Sequence, residues 1–306
     1  MSFTTDVKTE ISQQELKPCC VKAQSAALIQ LSATLIIHNK ELALRFQSEH
    51  ATTAKRMFKL LKERYAPQME LSIVKKTKLN KNNIYVLEVT TNVKAILEDV
   101  GLMTESGLQS HPAKKIVAKE CCARSYLAGA FMASGSVNSP QKSNYHLELV
   151  TQHPDHAAFI ESLMHRFDLP AKTILRRHQH VTYLKASEKI SDFLRIVSAN
   201  TAVLDFEDVR IQRDFHNSLT RLDNCEVANE MKTQAAAAKQ IAAIETLMKR
   251  GQLSHLDEKY QLVARLRLEN PEANLNELCE LVEEETGEPL SKSGIKHRLS
   301  KLLELA

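Results

Sequence analysis

One block of the chain occurs twice at a fixed spacing. KPCCVKAQSAALIQLSA (Lys17–Ala33) returns as KECCARSYLAGAFMASG (Lys119–Gly135), 102 residues later. Lys17/Lys119, Cys19/Cys121, Cys20/Cys122, Ala26/Ala128 and Ser32/Ser134 are identical, and Lys22/Arg124 keeps its charge. Further on, His50 aligns with His153, Ala54 with Ala157, Leu60 with Leu163 and Leu61 with Met164, now offset by 103. A duplicated supersecondary unit implies two copies packed about an approximate twofold axis.

The same order of elements is predicted in each copy. In the first, the repeated block is helical. Strands then cover SATLII and ELALRFQSE, parted by His38-Asn39-Lys40, with Leu42, Leu44 and Phe46 alternating to one side. Residues 51–65 place Ala54, Met57, Phe58 and Leu61 on one helical face. Strands follow around MELSIVKKT and NIYVLEVTT, with a turn at Asn80-Lys81-Asn82-Asn83, then a helix capped by Asn92 that stops at Gly101. The second copy gives a helix through Ala123–Met132, strands at GSVN and YHLELVT, and a helix with Pro154 in its first turn. Strands AKTILRR and HVTYLKA and a helix over SEKISDFLRIV complete it. Each half therefore has the pattern αββαββα, the α+β class.

Residues 201–223 show no single period. An Ala-rich helix is predicted from Asn224 to Gly251, and three helices follow at Asp257–Glu269, Asn274–Glu285 and Ser291–Leu303. The expected division is a duplicated domain at 1–200 (repeats about 17–101 and 119–200), a connector at 201–252, and an all-α domain at 253–306.

The chain has 306 residues, 43% of them hydrophobic and 25% charged, as in ordinary globular proteins. The opening MSFTTDVKTE has no apolar targeting segment, and no apolar run approaches the length of a membrane span. A cytoplasmic protein with no membrane partner is expected. Six cysteines, four of them in adjacent pairs, do not make a disulfide framework. The pairs also lack the two-residue spacer of zinc sites, so the expectation is buried thiols under packed helices and no metal. Seven glycines form no phosphate-binding loop, and no nucleophile–base spacing appears, so no cofactor is expected.

Charge is unevenly spread. Residues 1–200 hold 27 Lys+Arg against 18 Asp+Glu, whereas residues 252–306 hold 7 against 11. The excess on the front half suits a polyanion partner, and equally a solvated lysine-rich surface. Within the acidic tail, one helix departs from its surroundings. No acid occurs from Ser291 to Lys301, although the helix before it carries Glu277, Glu280 and Glu283–Glu285. Gly287 permits a tight turn and Ser291 caps the last helix, with Ile295, Leu299, Leu302 and Leu303 as its core stripe. Ser291, Lys292, Ser293, Lys296, His297, Arg298, Ser300 and Lys301 are then candidates to contact double-stranded DNA, since phosphates favour a helix face free of acids. A basic, solvated closing helix is the plainer alternative. Arg176 and Arg177 are a candidate secondary DNA contact, on opposite faces of a strand; a solvated edge hairpin accounts for them as well.

LAGAFMASG, Leu127–Gly135, resembles the LAGLIDADG motif of homing endonucleases, and SAALIQLSA, Ser25–Ala33, holds the same register in the first copy. The resemblance implies two motif helices packed at a pseudo-twofold axis, with Ala26, Ala27, Ala128 and Gly129 allowing close approach. In those nucleases each helix ends in an acid that holds a divalent metal. Here these positions are Ser32 and Ser134, and no Asp or Glu occurs from Leu16 to Lys40 or from Cys121 to Leu147. Hard cations need carboxylate oxygens, so no catalytic residue is expected. The tail LRLENPEANLNELCELVEEETGEPLSKSGIKHRLSKLLELA resembles the helix-turn-helix that closes the WhiA family, as do the opening MSFTTDVKTEI and RLDNCEVAN. Those proteins are bacterial DNA-binding regulators, linked to sporulation, cell division and chromosome segregation. The resemblance implies a nucleoid-associated transcriptional regulator with an inactive nuclease-like scaffold. Two rivals stay open: a metal-dependent endonuclease with acids relocated to Glu41 and Glu148, and a scaffold that binds another regulator or division protein.

Overall fold

A computed structural model describes residues 2–38, 40–75, 83–142 and 144–306. Asn39 and most of the turn expected at Asn80–Asn83 lie outside the described residues. The chain forms two compact units, Met1–Arg213 and Asp214–Ala306.

The first unit opens with α1 (Phe3–Gln13), which the sequence pattern did not reveal. The first repeat comprises α2 (Pro18–Ser32), β1 (Ala33–His38), β2 (Glu41–Ser48), α3 (Ala51–Tyr65), β3 (Met69–Lys75), β4 (Asn83–Val89) and α4 (Val93–Asp99). A small hairpin, β5 (Met103–Thr104) and β6 (Gly107–Leu108), leads to the second. That repeat is α5 (Glu120–Ser134), β7 (Gly135–Val137), β8 (Leu147–Thr151), α6 (Pro154–His165), β9 (Lys172–Arg176), β10 (Gln179–Leu184) and α7 (Ser187–Ile196). The two antiparallel sheets have the same order, β1-β2-β4-β3 and β7-β8-β10-β9. The duplication in sequence is thus a duplication in topology.

The centre of this unit is the contact between α2 and α5. Ala23, Ala26, Ala27, Ala123, Ala128 and Ala130 are buried along it. A Cβ on Gly129 would stand 2.8 Å from the Gln24 carbonyl oxygen, so only glycine fits this crossing. Ser125 Oγ donates to the Cys20 carbonyl at 2.8 Å, tying the two helices together. Small side chains at a helix crossing let the backbones approach and fill the space without voids.

Three local expectations are corrected. Asn92 does precede α4, but in the left-handed conformation (φ 59°) and without a side-chain capping bond. The Ala-rich helix expected from Asn224 begins much earlier: α8 runs unbroken from Asn200 to Lys249. Its start packs Ala202, Val203 and Phe206 into the first core, while Leu204, Ile211, Phe215, Leu219 and Leu222 face solvent. Apolar residues on both sides of a helix erase the period that pattern reading relies on. Arg177 is not on a strand. It forms a two-residue turn with His178 (φ 49° and 63°), since Arg176 pairs with Gln179. Positive φ at both positions is the geometry of a tight hairpin that matches strand twist.

In the second unit, Ile244 and Leu247 at the end of α8 share a core with α9 (Glu258–Glu269), α10 (Leu275–Thr286) and α11 (Lys292–Leu305).

Candidate nucleic-acid interface

The tail builds its interface from capping chemistry outward. Asn274 accepts from the backbone N–H groups of Asn276 and Glu277 while Glu277 accepts from the Asn274 N–H, a complete capping box at the start of α10. Gly287 ends α10 in the left-handed conformation (φ 73°). Ser291 then caps α11, its Oγ accepting from the Gly294 N–H at 3.2 Å. Ile295, Leu299 and Leu302 bury one face of α11 against Val263, Ala264, Leu278 and Val282. Leu303, expected in that stripe, is 42% exposed. Residues 295, 299 and 302 already fill the face at helical spacing, and position 303 falls a further ~100° round.

With that face fixed, the others follow. Lys292, Ser293, Lys296, His297, Ser300 and Lys301 are exposed, and Arg298 is half-buried. Lys301 pairs with Glu304 at 3.3 Å. Among the described residues, Lys292, Lys296 and Arg298 have no carboxylate within ion-pair distance. Of the α10 glutamates, Glu277 closes the capping box and Glu285 is engaged by Arg265.

Sequence reasoning missed two further cations here. Lys232 and Arg267 line a cavity of about 290 Å³ with Lys292, beside the start of α10. Arg267 is almost wholly buried, and its Nη1 donates to the Ala273 carbonyl at 2.5 Å. The only signal was an arginine set between Leu266 and Leu268, which composition counts as one more charge.

In the first unit, Ser32 and Ser134 end α2 and α5 and line one cavity of about 680 Å³. Gln30, Gln47, Gln152, Gln179, Thr34, Thr151 and His153 are its other polar neighbours, and no carboxylate among the described residues belongs to its lining. Glu41, at the start of β2, is exposed and outside it. Glu148 is held elsewhere: His146 Nε2 lies 3.0 Å away, Ser136 Oγ 3.4 Å and Arg176 Nη1 3.5 Å. Arg176 and Arg177 are thus separated in role, one over Glu148 and one at the hairpin tip. Arg45 on β2 is likewise paired, its Nε donating to Glu88 at 2.8 Å.

Comparison with known proteins agrees with this layout. Three family models match in tandem: the WhiA N-terminal LAGLIDADG-like domain over residues 18–103, the WhiA LAGLIDADG-like domain over 123–216, and the WhiA C-terminal HTH domain over 219–306. The "Probable cell division protein WhiA" of Bacillus subtilis (strain 168) is 43% identical over 307 residues, covering 100% of this chain and 96% of its own length. The chain belongs to the WhiA family. Among solved structures, full-length DUF199/WhiA from Thermatoga maritima covers 100% of this chain and 98% of its own, with a TM-score of 0.59 at 20% identity. The N-terminal LAGLIDADG domain of DUF199/WhiA covers 64% of this chain and 90% of its own, with a TM-score of 0.52 at 16% identity. The WhiA architecture is therefore shared: an α+β, duplicated LAGLIDADG-like fold followed by a helix-turn-helix. No helix among the described residues is long and apolar enough to cross a membrane.

Proposed function

We propose that this protein is a sequence-specific, double-stranded-DNA-binding transcriptional regulator acting in cell division, and that its nuclease-like front half is a scaffold without catalysis. One observation carries the reading: an HTH-family domain whose last helix keeps Lys292, Lys296 and Arg298 free of acid partners among the described residues, within an acidic tail. Phosphates reward that arrangement by releasing condensed counterions, and the unpaired cations need no internal ion pair broken first. Ser291, Ser293, His297, Ser300 and Lys301 then supply hydrogen-bonding groups for groove contacts.

In this reading residues 1–200 form the scaffold, 201–252 the connector and 253–306 the DNA reader. The scaffold is non-catalytic because the cavity at the ends of α2 and α5 offers amides, hydroxyls and one imidazole where a two-metal hydrolase needs carboxylates. Such a protein works in the cytoplasm, on the nucleoid.

Genomic occupancy of the wild-type protein and of a Lys296→Ala/Arg298→Ala variant tests the reading. Discrete peaks that vanish in the variant are expected; peaks retained by the variant contradict it. Incubation with supercoiled plasmid and magnesium or manganese tests the scaffold separately. Intact plasmid is expected, whereas nicking abolished by Glu148→Gln would restore the endonuclease.

A further inference from the structure

The helix pair α2–α5 has a second end, away from Ser32 and Ser134. Cys19 and Cys20 lie in the first turn of α2, and Cys121 and Cys122 in the first turn of α5. The pseudo-twofold packing brings the two pairs face to face. All four Sγ atoms lie within 4.8 Å of one another, with 4.0 Å inside each pair. Four thiolates around zinc, at Zn–S of about 2.3 Å, stand about 3.8 Å apart at the corners of a tetrahedron. Small side-chain rotations separate the observed spacing from that one.

The expectation from sequence, no metal because the pairs lack a two-residue spacer, considers each pair on its own helix. Neighbouring positions on a helix diverge by ~100°, so a pair alone cannot enclose an ion. Two helices crossing at their first turns supply what a two-residue spacer supplies in a zinc loop: four sulfurs converging from two sides.

The surroundings suit thiolate charge and a soft cation. Neither Lys17 nor Lys119 makes a side-chain cap, and the cysteines sit in the first turns, the positive ends of both helix dipoles. The acid next in sequence, Glu120, turns outward to Arg124. Hard-cation ligands are thus missing from a site made of sulfur, which selects zinc over magnesium. Cys20 and Cys122 are buried and Cys19 and Cys121 partly so, leaving one side for ion entry.

We propose that Cys19, Cys20, Cys121 and Cys122 form a structural tetrathiolate site for one zinc ion, which clamps the two repeats at the starts of α2 and α5. No redox step is involved; binding exchanges the thiol protons for the ion.

The test uses the full chain, purified without chelator or metal-affinity resin. Elemental analysis should find one zinc per chain, retained through gel filtration. Replacement by cobalt(II) should give thiolate-to-metal charge-transfer bands with the intense visible bands of a tetrahedral site. Cys19→Ser/Cys121→Ser, which spares the two buried thiols, should lower zinc content at least ~10-fold. Cys225→Ser/Cys279→Ser should leave it at one. Wild-type protein that holds no zinc after equilibration with excess metal, that shows no cobalt–thiolate bands, or whose four cysteines are recovered as disulfides, overturns the proposal. So does zinc that persists undiminished in the Cys19→Ser/Cys121→Ser variant.

Discussion

Two arginines of the sheets and three cations of α11 live in opposite circumstances. On β2 and β9, Arg45 and Arg176 each have a carboxylate in reach, Glu88 at 2.8 Å and Glu148 at 3.5 Å. On α11, Lys292, Lys296 and Arg298 have none among the described residues. Net charge pointed the other way, since the front 200 residues carry the basic excess and the tail is acidic. A paired arginine is already neutralised and must give up its partner to meet a phosphate. The lesson is that pairing, more than net charge, marks where a polyanion is accepted. Lys76, Lys78 and Lys81, three of the front cations, lie outside the described residues.

The largest expected effect breaks the comparison on its α11 side. Lys296→Ala/Arg298→Ala should weaken DNA binding by roughly 2–4 kcal/mol, measured by fluorescence anisotropy on the full chain. Next comes a lesion in the scaffold. Gly129→Ala sets a methyl against the Gln24 carbonyl and should destabilise the first unit by about 1–3 kcal/mol in denaturant unfolding, while leaving the melting of the second unit unchanged.

Acid should also separate the units. Burial, reinforced by the charges of His111 and His153, lowers the His156 pKa to about 4; its ring nitrogens meet Tyr126 Oη at 2.7 Å and Thr151 Oγ1 at 3.2 Å. An unfolded imidazole titrates near 6.5. Between those values the unfolded chain holds the extra proton, so stability of the first unit falls as pH drops from about 6.5 to 4. The slope is at most about 1.4 kcal/mol per pH unit. Hydrogen exchange resolved by unit should detect this in the first unit, and His156→Gln should flatten it. The smallest effect sharpens the comparison: Arg45→Ala and Arg176→Ala should change DNA affinity less than about threefold, as expected for exposed or half-exposed ion pairs.

Much of this was legible in sequence, for reasons that can be named. The repeat offset fixed which helices meet, because small residues recur at the crossing. Gly287 and Ser291 announced the turn and cap of the tail because left-handed backbone and orphan N–H groups have few chemical solutions. α1 stayed hidden since only Val7, Lys8 and Ile11 of its eleven residues are buried, too few for a period. The tight turn at Arg177-His178 was hidden because it carries none of the Asn, Asp or Gly that usually mark such a hairpin. The four thiols were visible as two pairs, yet their convergence depends on how α2 crosses α5. Composition also concealed that Ile244 and Leu247 close the tail core, so a fragment starting at 253 lacks two of its buried residues.

The most direct test of the central claim is the salt dependence of DNA binding by the full chain, compared across wild type, Lys296→Ala/Arg298→Ala and Arg45→Ala/Arg176→Ala. Each lost phosphate contact removes roughly 0.9 from the slope of log affinity against log salt. The α11 variant should flatten the slope by about one to two units and the sheet variant should reproduce the wild-type line. A wild-type slope in the α11 variant, with flattening confined to the sheet variant, would place the DNA on the front half and contradict the account.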